Sequence, residues 1–244
     1  MHVIIKRGIV EDKMKNIMFI APPAAGKGTQ AEIIVNKYNI PHISTGDILR
    51  DISKENSEIG NYVAETLANG LLVKDELTYQ LIVDRLSKDD CKNGFIIDGF
   101  PRNYEQAVAY DDILKKVGYD LGIIIVMEVD QDILEKRITG RRVCKNCGSV
   151  FNINNDLMKP KNESICDNCG GDLYQRSDDN LEAFKNRFAT YEKNTEKIIN
   201  HYKDLGVLHF IDGNRTIEEI SKQIDEIIKE ANWKVWWYDN YKKS

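Results

Sequence analysis

The chain has no apolar run long enough to cross a membrane. Its longest, residues 121–127 continuing to Val129, falls far short of the roughly 20 residues a spanning helix needs. Its beginning lacks the apolar core and small-residue cleavage site of a secretory leader, because Lys6, Arg7, Glu11, Asp12 and Lys13 stand there. Both absences lead to the expectation of a cytoplasmic protein with no membrane partner. A basic excess is also missing. The net charge of −5 excludes the basic domain or stripe of a nucleic-acid binder, though not a local basic pocket. Histidines are few, and His2, His42, His201 and His209 show no spacing for a metal or a general base. Cysteines are few and uneven: Cys91 stands alone and reads as a packed thiol, while four others fall between Cys144 and Cys169. That distribution excludes a disulfide scaffold and favours a local metal site. No repeat or low-complexity block stands out. What remains, 244 residues with 42% hydrophobic and 30% charged, is a soluble globular chain able to bury a sizeable core and one accessory domain.

Short runs rich in Ile and Val at 16–21, 94–98, 121–129 and 207–212 are apolar without strict alternation, as strands buried on both faces of a parallel sheet require. Helical spacing separates them at 30–38, 75–86 and 105–117. Strand and helix in turn imply an α/β sheet with right-handed crossovers. Near the end, Thr216 and Glu219 form a capping-box pattern, and Ile217, Ile220, Ile224, Ile227 and Ile228 lay an apolar stripe along one helix. Residues 140–179 break the alternation, hold the four clustered cysteines and are flanked by Arg141, Arg142 and Arg176, so they read as an inserted subdomain. Trp233, Trp236, Trp237, Tyr238 and Tyr241 crowd the last residues. They read as a helix end packing aromatics onto the domain, with a partner-binding patch as the alternative.

Residues 21–29, Ala-Pro-Pro-Ala-Ala-Gly-Lys-Gly-Thr, stand between the first strand and a helix, where backbone N–H groups and a lysine can hold phosphate. The general pattern G-x-x-x-x-G-K-[ST] is matched imperfectly: Ala21 takes the first glycine's place, and Gly28 delays the hydroxyl to Thr29. Taken alone, the string serves equally well as a turn. Ser44 or Thr45 can cap the helix that begins near Asp47. Cys144 and Cys147, then Cys166 and Cys169, are two C-x-x-C pairs separated by 18 residues, each followed by glycine. That spacing suits a closed four-thiolate zinc site with a structural role. A redox C-x-x-C is the alternative, disfavoured because the motif occurs twice.

Four uncommon strings occur in order: Pro-Pro-Ala-Ala-Gly-Lys-Gly-Thr-Gln at 22–30, Ile-Ser-Thr-Gly-Asp-Ile-Leu-Arg at 43–50, Asp-Gly-Phe-Pro-Arg at 98–102 with Gln106, and Gly-Arg-Arg at 140–142. With them the sequence resembles adenylate kinases over residues 16–231. The resemblance implies a P-loop three-layer α/β fold with a parallel central sheet, an AMP-binding subdomain at 44–73 and a zinc-bearing lid at 140–179. An N-terminal extension (1–15) and an aromatic tail (232–244) would lie outside the resemblance.

The same resemblance implies reversible phosphoryl transfer from ATP to AMP by a monomer using magnesium. Lys27, Arg102, Arg141, Arg176 and Arg187 would be catalytic. Ala24, Ala25, Gly26, Lys27, Gly28, Thr29, Arg137, Val150, Phe151 and Arg215 would bind ATP. Thr45, Arg50, Leu71, Leu72, Val73, Gly99, Phe100, Pro101, Arg102 and Gln106, with Arg176 and Arg187, would bind AMP. Asp98 and Asp47 would order magnesium waters, and Asp178 and Asp179 would pair with Arg141 or Arg176 when the lid closes. Arg85 and Arg142 read as solvated or salt-bridged. The family usually has glycine where this chain has Ala21 and Ala24; if either needs positive φ, alanine strains the loop by roughly 1–2 kcal/mol. Two other readings stay open: a kinase of another nucleoside monophosphate or with GTP as donor, and a nucleotide-binding module of weak activity.

Overall fold

The runs rich in Ile and Val form the centre of a five-stranded parallel sheet. The structure, a computed structural model, describes residues 16–241, with side chains as far as Ala231. The extension 1–15 and the packing of the tail aromatics therefore lie outside the described residues. The sheet comprises β1 (Ile17–Ile20), β2 (His42–Ser44), β3 (Ile96–Asp98), β4 (Ile123–Glu128) and a last strand, numbered β8 (Leu208–Asp212) because three others precede it in the chain. Their order is β2-β3-β1-β4-β8, every pair parallel. Four strands lie within the expected runs. The fifth, β2, is only three residues long, too short to show a period, and reads in the sequence merely as an extended stretch.

Eight α-helices occur among the described residues: α1 (Lys27–Tyr38), α2 (Thr45–Ile52), α3 (Glu58–Ala68), α4 (Asp75–Leu86), α5 (Tyr104–Val117), α6 (Gln131–Gly140), α7 (Leu181–Tyr202) and α8 (Ile217–Tyr241). The pleat of β4 sorts the layers. Ile123, Ile125 and Met127 face α1 and α8, meeting Ala31, Ile34, Ile220, Ile224 and Ile228. Ile124 and Val126 face the opposite layer, with Ile82 and Leu86 of α4, Tyr110 and Leu114 of α5, and Ile198 and Tyr202 of α7. Burial on both faces explains why β4 reads as a continuous apolar run; each such side chain contributes about 1.5–3 kcal/mol. The capping box forms as expected: Thr216 N–H donates to Glu219 Oε2 at 3.0 Å and Glu219 N–H to Thr216 Oγ1 at 3.3 Å.

The segment between α6 and α7 folds as its own small antiparallel sheet, β6-β5-β7, from β5 (Arg141–Cys144), β6 (Val150–Asn152) and β7 (Leu173–Tyr174). Strands of two to four residues are too short to register as periodicity.

Two glycines with the same backbone conformation differ in what surrounds them. Gly118 and Gly122 both have φ +79, but a Cβ at Gly122 would lie 2.0 Å from Asn16 O, whereas nothing stands within 4 Å of one at Gly118. Gly118→Ala is expected to cost about 1 kcal/mol and Gly122→Ala at least about 3 kcal/mol, because only the latter forces β1 and β4 apart. Urea denaturation of the two variants checks this; equal losses would contradict it.

Candidate functional site

The carboxyl ends of the parallel strands open into one cavity of about 460 Å³, the place where open α/β sheets bind ligands. β1 leads into the loop at residues 21–26, and α1 starts at Lys27 behind Gly26, which is left-handed at φ 99. Ala24 is also left-handed, at φ 64, while Ala21 is not among the positive-φ residues. The strain expected of two alanines thus falls on Ala24 alone, at roughly 1–2 kcal/mol. Lys27 Nζ donates to Ala21 O at 3.1 Å and Pro22 O at 3.0 Å, and stands 4.0 Å from Asp98 Oδ1. Burial pushes its pKa down to about 8; Asp98 opposes this, while Arg102, Arg187 and Arg141 add to it.

Carboxylates hold the surrounding arginines. Arg141 Nε donates to Asp179 Oδ2 at 2.8 Å and its Nη2 reaches the other oxygen, a bidentate pair. Arg187 donates to Asp178 Oδ2 at 2.8 Å, and Arg50 stands 3.6 Å from the same carboxylate. The two aspartates are 4% and 1% exposed, so they are buried counter-ions rather than solvated hinge charges. Asp179 pairs with Arg141, and Asp178 with Arg187 and Arg50. Arg176 spans to Asp47 at 3.1 Å, and Arg50 shares that carboxylate at 2.7 Å. Burial alone would push the Asp47 carboxyl up, but Arg50 and Arg176 outweigh it and hold it at about 2. Burial lowers Arg187 to about 10, with Asp178 working against the change. Burial likewise opposes ionisation of Asp98, yet Lys27, His42 and Arg102 keep its carboxyl below the usual range.

All ten residues expected at ATP line the cavity, and so do Arg50, Leu72, Gly99, Arg102, Arg141, Arg176 and Arg187, with Asp47 and Asp98. Arg137 donates to Ala25 O at 3.1 Å and Gly213 O at 3.2 Å, joining the loop to the segment after β8. Leu71, 54% exposed, lines a recess beside Arg50 and Arg102. The other expected residues, Thr45, Val73, Phe100, Pro101 and Gln106, are buried and do not line the cavity itself. Thr45 donates its hydroxyl to Gly99 O at 2.8 Å. Val73 packs with Leu49 and Val63, and Phe100 is buried edge-on between Tyr79 and Tyr110. Gln106 Oε1 accepts the Arg102 N–H at 2.7 Å, while Nε2 donates to Asp75 at 2.6 Å. Arg85 is salt-bridged to Asp90 at 2.8 Å. Sequence reasoning missed His42, whose Nε2 stands 3.5 Å from Asp98 Oδ2, and Thr190 and Tyr191 of α7, which line the cavity. None of these carries a motif; only the register of β2 beside β3, with Ser44 opposite Asp98, brings His42 there.

The four clustered sulfur atoms lie within 4.8 Å of one another. Cys144 and Cys169 are 3.4 Å apart, and Cys147 and Cys166 are 3.6 Å apart. A tetrahedron with zinc–sulfur bonds of 2.3 Å has edges of about 3.8 Å, so the four thiols fit zinc. Asn146 N–H points at Cys144 Sγ at 3.4 Å. The knuckle turns close through Gly148 and Gly170, at φ +74 and +72.

A family model described as adenylate kinase matches residues 19–207. The adenylate kinase of Thermosipho africanus (strain TCF52B) is 45% identical over 214 residues, covering 88% of this chain and 99% of that protein. That of Clostridioides difficile (strain 630) is 47% identical over 208 residues, 85% of this chain and 95% of the relative. An archaeal one, from Archaeoglobus fulgidus, is 42% identical over 215 residues, 88% and 98% of the two chains.

A polyphosphate bound at the loop would place anionic oxygens on Lys27 and raise its proton affinity above the value of about 8. Binding should therefore take up most of a proton at pH 8.5 and almost none at pH 7, and weaken as pH rises through about 8. Calorimetric titration in buffers of different ionisation heat measures the uptake. Equal uptake at the two pH values would contradict the reading.

Proposed function

The chain belongs to the adenylate kinase family, and from that premise we propose how its residues carry out the reversible transfer of a phosphoryl group from ATP to AMP, giving two ADP. The observation that carries the assignment of roles is the convergence of Lys27, Arg102, Arg141 and Arg187 on one cavity at the carboxyl end of the sheet. Residues 24–29 take the ATP phosphates through backbone N–H groups and Lys27, while Arg137, Val150, Phe151 and Arg215 flank the donor nucleotide. Thr45, Arg50, Leu71, Leu72, Val73, Gly99, Phe100, Pro101, Arg102 and Gln106 form the AMP side. Three of these act from behind the wall: Thr45 supports the backbone at Gly99, and Val73 and Phe100 fix the segments on which Leu72 and Arg102 stand. Residues 44–73 and 140–179 act as two closing subdomains, excluding water so that ATP is not hydrolysed.

The AMP phosphate is already a nucleophile, so the chain needs no general base. In-line transfer spreads charge over the equatorial oxygens, and the protein's work is to place both phosphates and stabilise that charge. Arg102, Arg141, Arg176 and Arg187 supply planar, permanently charged forks. These groups lean on carboxylates or carbonyl oxygens; phosphate oxygens would replace those partners in the complex. Asp98 is a buried carboxylate that stands 3.5 Å from His42 Nε2 and 4.0 Å from Lys27 Nζ. It would hold the magnesium of Mg·ATP through water, and that ion when bound neutralises charge between the outer phosphates. Asp47, committed to Arg50 and Arg176 in this conformation, would join it when those arginines turn to phosphate. A monomer acting on free nucleotides is the assembly we propose. Among the described residues no helix is long and apolar enough to cross a membrane, consistent with a cytoplasmic site of action. The named relatives favour AMP over another monophosphate, and Ala24 costs too little to leave a mere binding module.

Zinc held by Cys144, Cys147, Cys166 and Cys169 would tie β5 to the loops around it and fold a segment poor in apolar side chains. Metal analysis of reductively purified protein is expected to find one zinc per chain, and its removal to lower the melting temperature; finding none would refute the site. Coupled detection of ADP is expected to show turnover that falls at least about 100-fold in Lys27→Met. Undiminished turnover in that variant would contradict the role of Lys27.

A further inference from the structure

Gln106 lies in the first turn of α5, 3% exposed, and both ends of its amide are held by groups that admit no ambiguity. A backbone N–H can only donate, so Oε1 faces Arg102 N at 2.7 Å; a carboxylate can only accept, so Nε2 faces Asp75 Oδ1 at 2.6 Å. One N–H and one oxygen lone pair remain. From the geometry we infer that Asp75 is a positioning residue that fixes this amide so that the site prefers a 6-aminopurine monophosphate to a 6-oxopurine one. The inference rests on the proposal above that Gln106 belongs to the AMP side, and takes its amide to face the purine.

The argument is one of matched polarity. A 6-aminopurine offers an acceptor at N1 beside a donor at the 6-amino group, and the remaining donor and acceptor of Gln106 complement that pair. A 6-oxopurine reverses both positions, presenting N1–H and a carbonyl. An amide free to turn over would serve either base equally, because its two ends are nearly the same shape. Arg102 N–H alone tethers one end. Asp75 tethers the other, and turning the amide over would set NH₂ against N–H and carbonyl against carboxylate. Discrimination is strongest where a site's buried polar groups are left unpaired by the wrong base.

Position supports the role. Asp75 opens α4, one residue beyond 44–73, and α4 packs on α5 through Ile82, Leu86, Tyr110 and Leu114. The Asp75–Gln106 bond thus joins two helix starts whose relative placement the core already fixes. Lys74, at the N-cap of α4, makes no side-chain capping bond. Asp75 is therefore also a first-turn acid, and that simpler role predicts a loss of stability that treats all substrates alike.

The test compares AMP with inosine monophosphate, at saturating ATP, in Asp75→Asn, Gln106→Leu and the double variant, with thermal melts alongside. Asp75→Asn is expected to raise KM for AMP about tenfold with little change in kcat, and to cut the AMP-to-IMP ratio of kcat/KM about tenfold. Gln106→Leu should abolish the same preference, and adding Asp75→Asn to it should change nothing further. If Asp75→Asn does not fold, Asp75→Ala takes its place. An unchanged ratio in the Asp75 variant while Gln106→Leu loses it, or effects that simply add, would overturn the inference. A preference that survives Gln106→Leu would refute the base-facing role of Gln106 itself, and the inference with it.

Discussion

Like charges gathered in one cavity are the constraint on which the rest of the structure depends. Two unit charges 4 Å apart repel by about 4 kcal/mol at the effective dielectric of a protein surface, and here burial and three arginines bear on Lys27 together. Asp47, Asp98, Asp178 and Asp179 stand among the cations and offset that repulsion. Those carboxylates come from different elements, so the electrostatics ties β3, α2 and the approach to α7 to one another. A net charge of −5 is therefore compatible with a site for two polyanions: the negative charge is spread widely and the positive charge is focused.

The contacts that hold these arginines are also those a phosphate would displace. Arg176 bridges to Asp47 across the cleft, and Arg141 is clasped by Asp179 at the start of β5. Exchanging carboxylate for phosphate keeps each arginine partnered, so closure need not leave a buried cation exposed to a low dielectric. The cysteine cluster serves the same end from a distance. By binding together strands of only two to four residues, zinc would make a rigid body of the segment that begins at Arg141.

Legibility in the sequence followed the range of each interaction. The strands of the sheet centre were visible because burial on both faces demands uninterrupted branched apolar residues, and the cysteine site because its spacing is local. The phosphate loop was visible through its strings, yet which alanine is strained was not: Ala24 is left-handed and Ala21 is not, a difference set by how the loop enters α1. The small antiparallel sheet was hidden by the shortness of its strands. Partnerships across the fold were hidden as well. Nothing local says that Asp178 meets Arg187 and Arg50, that His42 stands beside Asp98, or that Asp75 holds Gln106 from 31 residues away. Phe100 shows the converse, since it belongs to a motif string but is buried between two tyrosines.

The central claim is that a focused cluster of cations, held apart by carboxylates, awaits phosphate on an acidic chain. The most direct measurement is the melting temperature in inorganic tripolyphosphate against sodium chloride of matched ionic strength, with no nucleotide present. An anion that binds only the folded chain stabilises it by about 2.7 kcal/mol at one hundred times its dissociation constant. The account predicts that millimolar tripolyphosphate raises the melting temperature by several degrees while chloride does not. Equal effects of the two salts, or destabilisation by tripolyphosphate as the net charge alone would suggest, would contradict it.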